Sequence, residues 1–508
     1  MDHGCVRESS SFPVLPAALL LLSSTPFAAQ GGYRTRAFPR LGLEFPVASD
    51  YDAVPVQPLE KWTVLHYAED LDKAREKDSR PQFSVFVIDK RAPVVLPPEL
   101  KHFEPRVIDS VEAYLRAVHW DWRAHGFTDG KERDGYRARE SSLGPGSREA
   151  PAGWFYAWES DDRIVGLIGF CMTSDEKYRK KHHDIWRYSA EKMRFSEPKE
   201  DALLAKLERY YERRNYLDPE YRIAVRSRLA PGWKAEDTDH YLVVYDTKDE
   251  PLIRLIKAEL EAIRKEYLRL FPPATPIEAV STVRVCKDRE EYLQYGGPPG
   301  SGGYWHPTAE ELVFYDYENV GRDRGTGKAN SRIVLYHEAF HQYVHYSTGE
   351  LPPHPWFNEG YGDYFSGARI SSLRVEGIGV NPWRIETIQK AIKSGSYLSW
   401  RNILHLDKRG YYDHRVCYSQ GWSMIYFLNE SREAKKHPLW SAILPTYFET
   451  LKTAYAAELD VLPSTFGEEE RQEAGARARE AAYSAAFSDV DLDEIEKAWK
   501  EFTMSLKP

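Results

Sequence analysis

Two histidines and a glutamate in one short stretch could together bind a metal ion and activate water. The run from Ser331 to Tyr346 has the sequence SRIVLYHEAFHQYVHY. Ser331 is a suitable N-cap, so the run predicts a helix. In that helix His337 and His341 lie one turn apart, with about 6 Å between their Cβ atoms. One Zn²⁺ with bonds of about 2.1 Å can bridge that span. Glu338 lies beside them, where a general base could take a proton from water at the metal.

The HExxH pattern has competing interpretations. A chain with 16 histidines can carry it by chance on a solvated helix face. His345 shares the helical face, but eight residues at about 1.5 Å each put it about 12 Å from His337, too far for one tetrahedral ion. A metzincin needs Gly and His three and six positions after His341, where this chain has Val344 and Ser347. Both rival ligand sets fail, and the sequence further along must decide between a metal site and a solvated face.

A carboxylate follows on what should be a second helix. The run NEGYGDYF from Asn358 to Phe365 comes after a proline-rich turn. HExxH followed by NExxxD resembles the signature of the gluzincins, which include thermolysin-like peptidases and related aminopeptidases. The resemblance implies that Glu359 is the third zinc ligand. It also implies that Asp363 accepts a hydrogen bond from a ligating histidine and fixes its tautomer. The chain is also similar to uncharacterised bacterial peptidase MA-like proteins, in which a variable N-terminal region precedes the zinc domain.

The resemblance extends to a tyrosine. Gluzincin aminopeptidases carry the pattern YxKGxxxxxxL, whose tyrosine hydrogen-bonds the oxyanion opposite the metal. The run YSQGWSMIYFL from Tyr418 to Leu428 matches this pattern, except that Gln420 replaces the lysine. By this resemblance Tyr418 would stabilise a tetrahedral intermediate. The alternative is an ordinary helix start with Tyr418 packed in the core. Three other side chains are less favoured candidates for the same role: Tyr411, Tyr412 and His414.

Taken together, these motifs predict a zinc-dependent metallopeptidase that hydrolyses a peptide or protein substrate, with Glu338 as general base. The main alternative is a non-catalytic binding or scaffold protein that contains zinc. An intact Glu338 argues against it, as does a set of three protein ligands, because structural zinc sites normally have four. A carbohydrate-binding module in the N-terminal region is a third hypothesis, suggested by the 33 Tyr and 14 Trp of the chain.

The length of 508 residues predicts two or three folded units. Residues 1–30 resemble a leader, residues 31–235 an α/β region of unknown role, and residues 236–508 the peptidase domain. For the N-terminal region we expect two strands and two helices, with an exposed polar loop between them. The strands are predicted at Phe83–Ile88 and Arg163–Cys171, the helices at Val107–Arg123 and Asp201–Arg214, and the loop at Thr128–Gly153.

The peptidase domain is expected to be α+β, with a small mixed sheet before the active-site helix and a mostly helical C-terminal part. Phe314 is predicted to lie on the edge strand along which an extended peptide would bind. Gly325–Lys328 lacks the first glycine and the Ser or Thr of a phosphate-binding loop, so nucleotide binding is not expected. Predicted strands are His240–Tyr245, Ser281–Cys286 and Leu312–Tyr315, and predicted helices are Leu252–Phe271, Glu468–Ala486 and Asp491–Leu506.

Composition and charge restrict the classes of binding partner and the cellular compartment that we expect for this chain. A net charge of −9 without a basic stripe argues against nucleic acid. No run approaches the roughly 20 apolar residues of a transmembrane span. The apolar run Val14–Leu22 favours export to the periplasm or cell surface over the cytoplasm, although its leading segment lacks net positive charge. The spacing of Cys5, Cys171, Cys286 and Cys417 suggests buried free thiols. The oligomeric state is not predicted.

Overall fold

A computed structural model of the chain describes residues 27–507 except 31, 59, 61, 76–79, 92–93, 96–106, 119–121, 125, 146–151, 200–201, 318–326 and 464–466. The leader, residues 1–30, therefore lies almost wholly outside the described residues, as does Cys5. Within the described part, no helix has the length and apolar character needed to cross a bilayer. Cys171, Cys286 and Cys417 are buried free thiols, as predicted.

The N-terminal region is built on antiparallel sheets. Its strands are β1 Phe27–Gln30, β2 Tyr33–Phe38, β3 Leu43–Ala48, β4 Tyr51–Val54, β5 Thr63–Glu69, β6 Gln82–Asp89, β7 Val94–Val95, β8 Val107–Ile108, β9 Trp122–Ala124, β10 Thr128–Arg133, β11 Tyr136–Pro145, β12 Ala152–Glu159, β13 Arg163–Cys171 and β14 Arg194–Phe195. Its helices are α1 Val111–Val118, α2 Glu176–Glu191, α3 Ala202–Glu212 and α4 Pro219–Ser227. The main sheet has the order β10-β11-β12-β13-β6-β5-β4, with β9 beside β11.

Three predictions for this region are wrong. The α/β description fails because the pairings along its main sheet are antiparallel, so this region is α+β like the rest of the chain. The expected loop at 128–153 contains β10 and β11, joined by a tight turn at Asp134 and Gly135, which both have positive φ. The polar composition misled the prediction because β10 is an exposed edge strand, while β11 mixes exposed Arg137 and Ser142 with buried residues such as Ala138 and Leu143. The helix expected at 107–123 shortens to α1.

The second half opens with a small mixed sheet, as predicted. Its strands are β15 Lys234–Asp237, β16 Tyr241–Tyr245, β17 Ser281–Cys286, β18 Gly303–His306 and β19 Glu311–Tyr315, in the order β15-β16-β17-β19-β18. The β16-β17 and β17-β19 pairs are parallel, and the outer pairs are antiparallel. Phe314 therefore lies on an inner strand, and the edge strand next to it is β18. The prediction that Phe314 lies on an edge strand failed because β18 was not foreseen. That strand is only four residues long, and its sequence, Gly-Tyr-Trp-His, has no strong strand pattern. It forms through pairing with β19, which local sequence does not show.

Helices make up most of the remaining chain. They are α5 Glu250–Leu270, α6 Arg289–Gln294, α7 Gly327–Ser347, α8 Pro355–Phe365, α9 Ile385–Ser394, α10 Trp400–Ile403, α11 Lys408–Asp413, α12 Cys417–Glu430, α13 Arg432–Lys436, α14 Ile443–Asp460, α15 Glu468–Phe487 and α16 Leu492–Ser505. A hairpin of β20 Ala368–Ser371 and β21 Arg374–Ile378 follows α8. The coarse class, mixed α+β, is confirmed.

The helix that carries HExxH starts earlier than predicted. α7 begins at Gly327, so Ser331 is an interior residue and not the N-cap. Its hydroxyl instead accepts a hydrogen bond from the Tyr317 backbone N–H, 3.2 Å away. The inner face of α7 packs in the core formed with α5, α8 and the sheet, and Tyr267 of α5 donates to the Tyr336 carbonyl at 2.8 Å. This packing holds α7 in place, so its histidines depend on the core for their position.

Candidate metal centre

Helices α7 and α8 bring the two histidines and the predicted third ligand together. Nε2 of His337 lies 3.2 Å from Oε2 of Glu359, and Nε2 of His341 lies 3.5 Å from the same oxygen. One donor atom from each of the three residues lies within 4.8 Å of the others. Two ligands on a tetrahedral ion with bonds of about 2.1 Å are about 3.4 Å apart. The two distances from Glu359 to the histidine nitrogens therefore match the separation of two ligands on one metal ion.

The remaining ring nitrogens of both histidines face acceptors. Nδ1 of His337 lies 3.3 Å from Oδ1 of Asp363, and Nδ1 of His341 lies 3.1 Å from Oδ1 of Asn358. Each ring thereby turns its Nε2 toward Glu359, where a lone pair could bind a metal ion. The chemistry of this donor set, two imidazoles and one carboxylate, suits a divalent transition metal. Asp363 occupies the place that the family resemblance implied, while Asn358 is an additional partner.

Burial and charge act together on the titratable groups of the site. Burial lowers the pKa of His337, but hydrogen bonds to Asp363 and Glu359 outweigh it and raise that pKa well above its ordinary value. Burial raises the pKa of Glu359, yet the neighbouring His341 and His337 lower it well below the ordinary value. The pKa of Glu338 is raised by burial and by the charge of Glu359, against the opposing effect of both histidines. Glu338 is thus a stronger base than an exposed glutamate.

Glu338 is a neighbour of both candidate histidines and of the edge strand β18 of the small sheet. The Trp305 backbone of β18 lies close enough to the Glu338 carboxylate to exert a lowering effect on the pKa of Glu338, smaller than that of burial. The Trp305 ring packs against His345, with 5.7 Å between ring centroids. His345 is absent from the cluster of donor atoms found among the described residues, as its distance along the helix requires. The general-base candidate and the edge strand β18 are therefore neighbours.

Three tyrosines near the site have different surroundings. Tyr412 of α11 donates to Oε1 of Glu359 at 2.8 Å and is 43% exposed. Tyr418, in the first turn of α12, stacks on Tyr412 with 5.9 Å between centroids. Burial, then the charges of Glu359 and Asp363, raise the pKa of Tyr418. Tyr411 is buried and donates to the Cys417 carbonyl at 2.7 Å, so its hydroxyl is engaged elsewhere.

His414, the remaining candidate for that role, is exposed and lies beyond the end of α11. Tyr418 and Tyr412 are thus the two phenols grouped with the donor residues. The sequence offered a weak motif for Tyr418 and no reason to rank Tyr412 above its neighbour Tyr411. Only the orientation of the short helix α11 distinguishes them, because adjacent residues on a helix point in different directions.

One residue that contacts the site was not predicted from the sequence. Arg384, which immediately precedes α9, donates from Nε to Oδ2 of Asp363 at 2.7 Å and from a terminal nitrogen to Oδ1 at 3.1 Å. Its guanidinium also lies over the Tyr418 ring, 5.0 Å from the centroid. Arg384 stands 21 positions after Asp363 and belongs to no motif, so a local pattern could not have found it.

Two glycines that follow Glu359 allow α8 to approach both α7 and α12. A Cβ on Gly362 would lie 2.8 Å from Cε1 and Nδ1 of the His337 ring. A Cβ on Gly360 would lie 2.8 Å from the Gly421 carbonyl oxygen of α12. Real side chains do not come this close, so both positions exclude any larger residue. The glycines of the run NEGYGDYF are therefore packing requirements of the site.

We expect Gly362→Ala to displace the His337 ring and to lower the free energy of unfolding by about 1–3 kcal/mol, the usual cost of overpacking. Metal affinity should fall with it. Urea unfolding of the metal-free protein and titration with zinc measure the two effects. Gly377→Ala is the matched control, because its Cβ would meet only the end of the flexible Arg369 side chain at 3.1 Å. Equal stability and affinity in both variants would show that the His337 ring has room to move.

Comparisons with known proteins assign no family to this chain. No family model matches it, and no curated protein matches it. Among solved structures it is similar to the solution structure of cyanobacterial PsbP (CyanoP) from Synechocystis sp. PCC 6803, with 12% sequence identity and a TM-score of 0.24. That match covers 34% of this chain and 99% of the other. A likeness this weak carries no argument about fold or function.

Proposed function

We propose that this chain is a zinc-dependent metallopeptidase of the gluzincin type. One observation carries the proposal: Nε2 of His337, Nε2 of His341 and a carboxylate oxygen of Glu359 converge within 4.8 Å, with Glu338 next to them on the same helix. Three protein ligands leave a further coordination position for chemistry, as catalytic zinc sites require. The HExxH and NExxxD motifs supply these residues in the order that the resemblance implies.

The chain's own residues provide the proton transfers of peptide hydrolysis. Bound Zn²⁺ would supply Lewis acidity, polarising a carbonyl and lowering the pKa of water. Glu338 accepts a proton as a water oxygen bonds to the peptide carbon, and it returns that proton to the amine nitrogen as the C–N bond breaks. Its raised pKa, caused mainly by burial, favours acceptance. The Tyr418 hydroxyl donates a hydrogen bond to the developing oxyanion, which is stabilised most where such donors are already in place.

The outer edge of β18 suits an extended peptide substrate. β18 is the last strand of its sheet, so one side of its backbone is not paired within the sheet. A peptide could add there as another strand, because backbone pairing gives affinity without demanding one side-chain sequence. The Trp305 backbone of this strand lies near Glu338, so a peptide bound along β18 would pass close to the general base.

A non-catalytic zinc-containing scaffold is the second candidate function. It predicts a closed shell of four protein ligands, whereas the cluster among the described residues has three. It also gives no reason for a partly buried Glu338 beside the donor atoms. These observations favour the peptidase. Export to the periplasm or cell surface stays part of the proposal on the strength of the apolar run Val14–Leu22 alone.

Digestion of a peptide library by the full chain, with and without a metal chelator, tests the function. We expect cleavage that stops when the metal is removed and returns when zinc is added, and the products would report the cleavage preference. Metal analysis of the same preparation separates the two candidates. One zinc per chain with no cleavage of any peptide would favour the scaffold, and cleavage unaffected by the chelator would contradict both.

A further inference from the structure

Arg384 approaches the metal centre from an element that carries none of the metal-binding motifs. It is the N-cap residue of α9, after the loop that follows the β20–β21 hairpin. Its side chain is 25% exposed, whereas the Asp363 side chain that it contacts is 2% exposed. A guanidinium at this position brings a fixed positive charge to a buried carboxylate that itself contacts the candidate ligand His337.

The loop that carries Arg384 is itself anchored to Asp363. Asn381 is fully buried, and its side-chain amide donates to the Asp363 backbone carbonyl at 2.9 Å. The Asn381 carbonyl accepts from the backbone N–H of Arg384 at 3.1 Å. Arg384 and Asp363 are therefore held together through the main chain as well as through their side chains. This double attachment leaves the guanidinium little freedom to choose another partner.

The contact between Arg384 and Asp363 fixes the plane of the carboxylate. Arg384 donates to both oxygens, at 2.7 and 3.1 Å, in the fork geometry that only arginine offers. Oδ1 of Asp363 also lies 3.3 Å from Nδ1 of His337. A rotation of the carboxylate would therefore move the acceptor that orients the His337 ring. The contacts run from Arg384 through Asp363 to Nδ1 of His337, on the same ring whose Nε2 is a candidate metal donor.

The same guanidinium also lies against Tyr418. Its Cζ is 5.0 Å from the centroid of the Tyr418 ring, within the range of a cation–π contact. Tyr412 stacks on the Tyr418 ring with an interplanar angle of 14°, so Tyr418 packs against both Arg384 and Tyr412. Arg384 thus touches the partner of a metal ligand and the proposed oxyanion donor at once.

We propose that Arg384 is a positioning residue for both sides of the site. On the metal side it holds Asp363 in place, and through Asp363 the His337 ring. On the oxyanion side it holds Tyr418 in place. This inference rests on the proposed function. It also explains why this chain can have Gln420 where the tyrosine pattern has a lysine. Gln420 is buried and bonds the Leu398 backbone N–H at 2.9 Å, and the cation beside Tyr418 comes from Arg384 instead.

The test compares Arg384→Lys and Arg384→Gln with wild type, using zinc alone as the first probe. Competition with a chromophoric chelator should show zinc affinity reduced by about 10- to 100-fold, the usual cost of losing an outer partner of a metal ligand. The absorption spectrum of the cobalt-substituted protein should shift, because the His337 ring changes orientation. Lysine should not rescue either property, since a point charge cannot fix the carboxylate plane.

The matched control is Arg332→Lys. Arg332 lies on α7 itself and forms a two-pronged pair with Glu259 at 2.8 and 2.6 Å, away from the donor atoms. We expect this variant to lose thermal stability while keeping the zinc affinity and cobalt spectrum of wild type. Thermal unfolding of the metal-free proteins shows whether each Arg384 variant is folded.

The Tyr418 side of the inference has its own measurement. At saturating zinc, with the peptide that wild type cleaves fastest, kcat of Arg384→Lys should stay about 10- to 100-fold low while KM changes little. Full recovery of kcat at saturating zinc would overturn the link to Tyr418. Zinc affinity and cobalt spectrum equal to wild type would overturn the link to His337. A wild-type chain that binds no zinc would instead overturn the proposed function itself.

Discussion

Glu338→Gln is expected to reduce peptide hydrolysis by about 10²- to 10⁴-fold, the range that general acid–base catalysis contributes. The amide has nearly the shape of the carboxylate but cannot accept a proton from the attacking water. Zinc content should stay at the wild-type value, because Glu338 contributes no atom to the donor cluster. Steady-state kinetics on a cleaved peptide and metal analysis of the same preparation make the measurement, and the loss should fall on kcat more than on KM.

Glu386→Gln is a suitable control for this substitution. Glu386 is on the surface of α9, pairs with Lys390 and is 76% exposed, so its amide should leave hydrolysis unchanged. A Glu338→Gln protein that binds zinc normally and cleaves peptides at the wild-type rate would remove Glu338 from the mechanism. A variant that loses zinc together with activity would point instead to a ligand or folding role for this carboxylate.

Replacing any one of the three donor residues should abolish stoichiometric zinc binding. His337→Ala, His341→Ala and Glu359→Gln each leave two protein donors. The loss of affinity should therefore exceed the roughly 10- to 100-fold that an outer partner costs. Hydrolysis should fall with zinc content. The wild-type chain should also gain about 4 kcal/mol of stability when free zinc is about 1,000 times its Kd, a gain that the variants lack at the same concentration.

His345→Ala is the matched control for the histidine substitutions. His345 lies on α7 two turns beyond His337, packs against Trp305 and is absent from the donor cluster found in the described part of the chain. Metal analysis after dialysis, together with thermal unfolding with and without zinc, distinguishes the four variants. Retention of one full zinc by all three ligand variants would falsify the ligand set, and loss of zinc in His345→Ala would extend it.

Local patterns predicted the elements of the second half well. β17 has the predicted bounds, Ser281–Cys286, and α5 and α15 differ from their predictions by one or two residues. Such segments are long or strongly apolar, so their period and composition show directly in the sequence. Strand β10 was missed because polar residues on an exposed strand have no apolar period to detect, and β11 because polar residues interrupt its few buried apolar ones.

The sequence by itself determined which residues can act as donors. The spacing of His337 and His341 follows from the pitch of one helix, and the spacing of Glu359 and Asp363 from the pitch of another. Each pair is local, so each was visible as a motif. That the two helices pack with their donor atoms 3.2 and 3.5 Å apart is a tertiary result, which requires the glycines of α8 to remove the steric barrier.

The tertiary structure alone decided the partners of those donors. Arg384 reaches Asp363 from α9, Tyr412 reaches Glu359 from α11, and β18 rather than β19 forms the edge beside Glu338. These contacts join residues that are distant in the chain, and their geometry depends on how whole helices and strands pack. A motif records only the spacing within one element. The positions of separate elements come from burial of their apolar faces, which many sequences can satisfy in different ways.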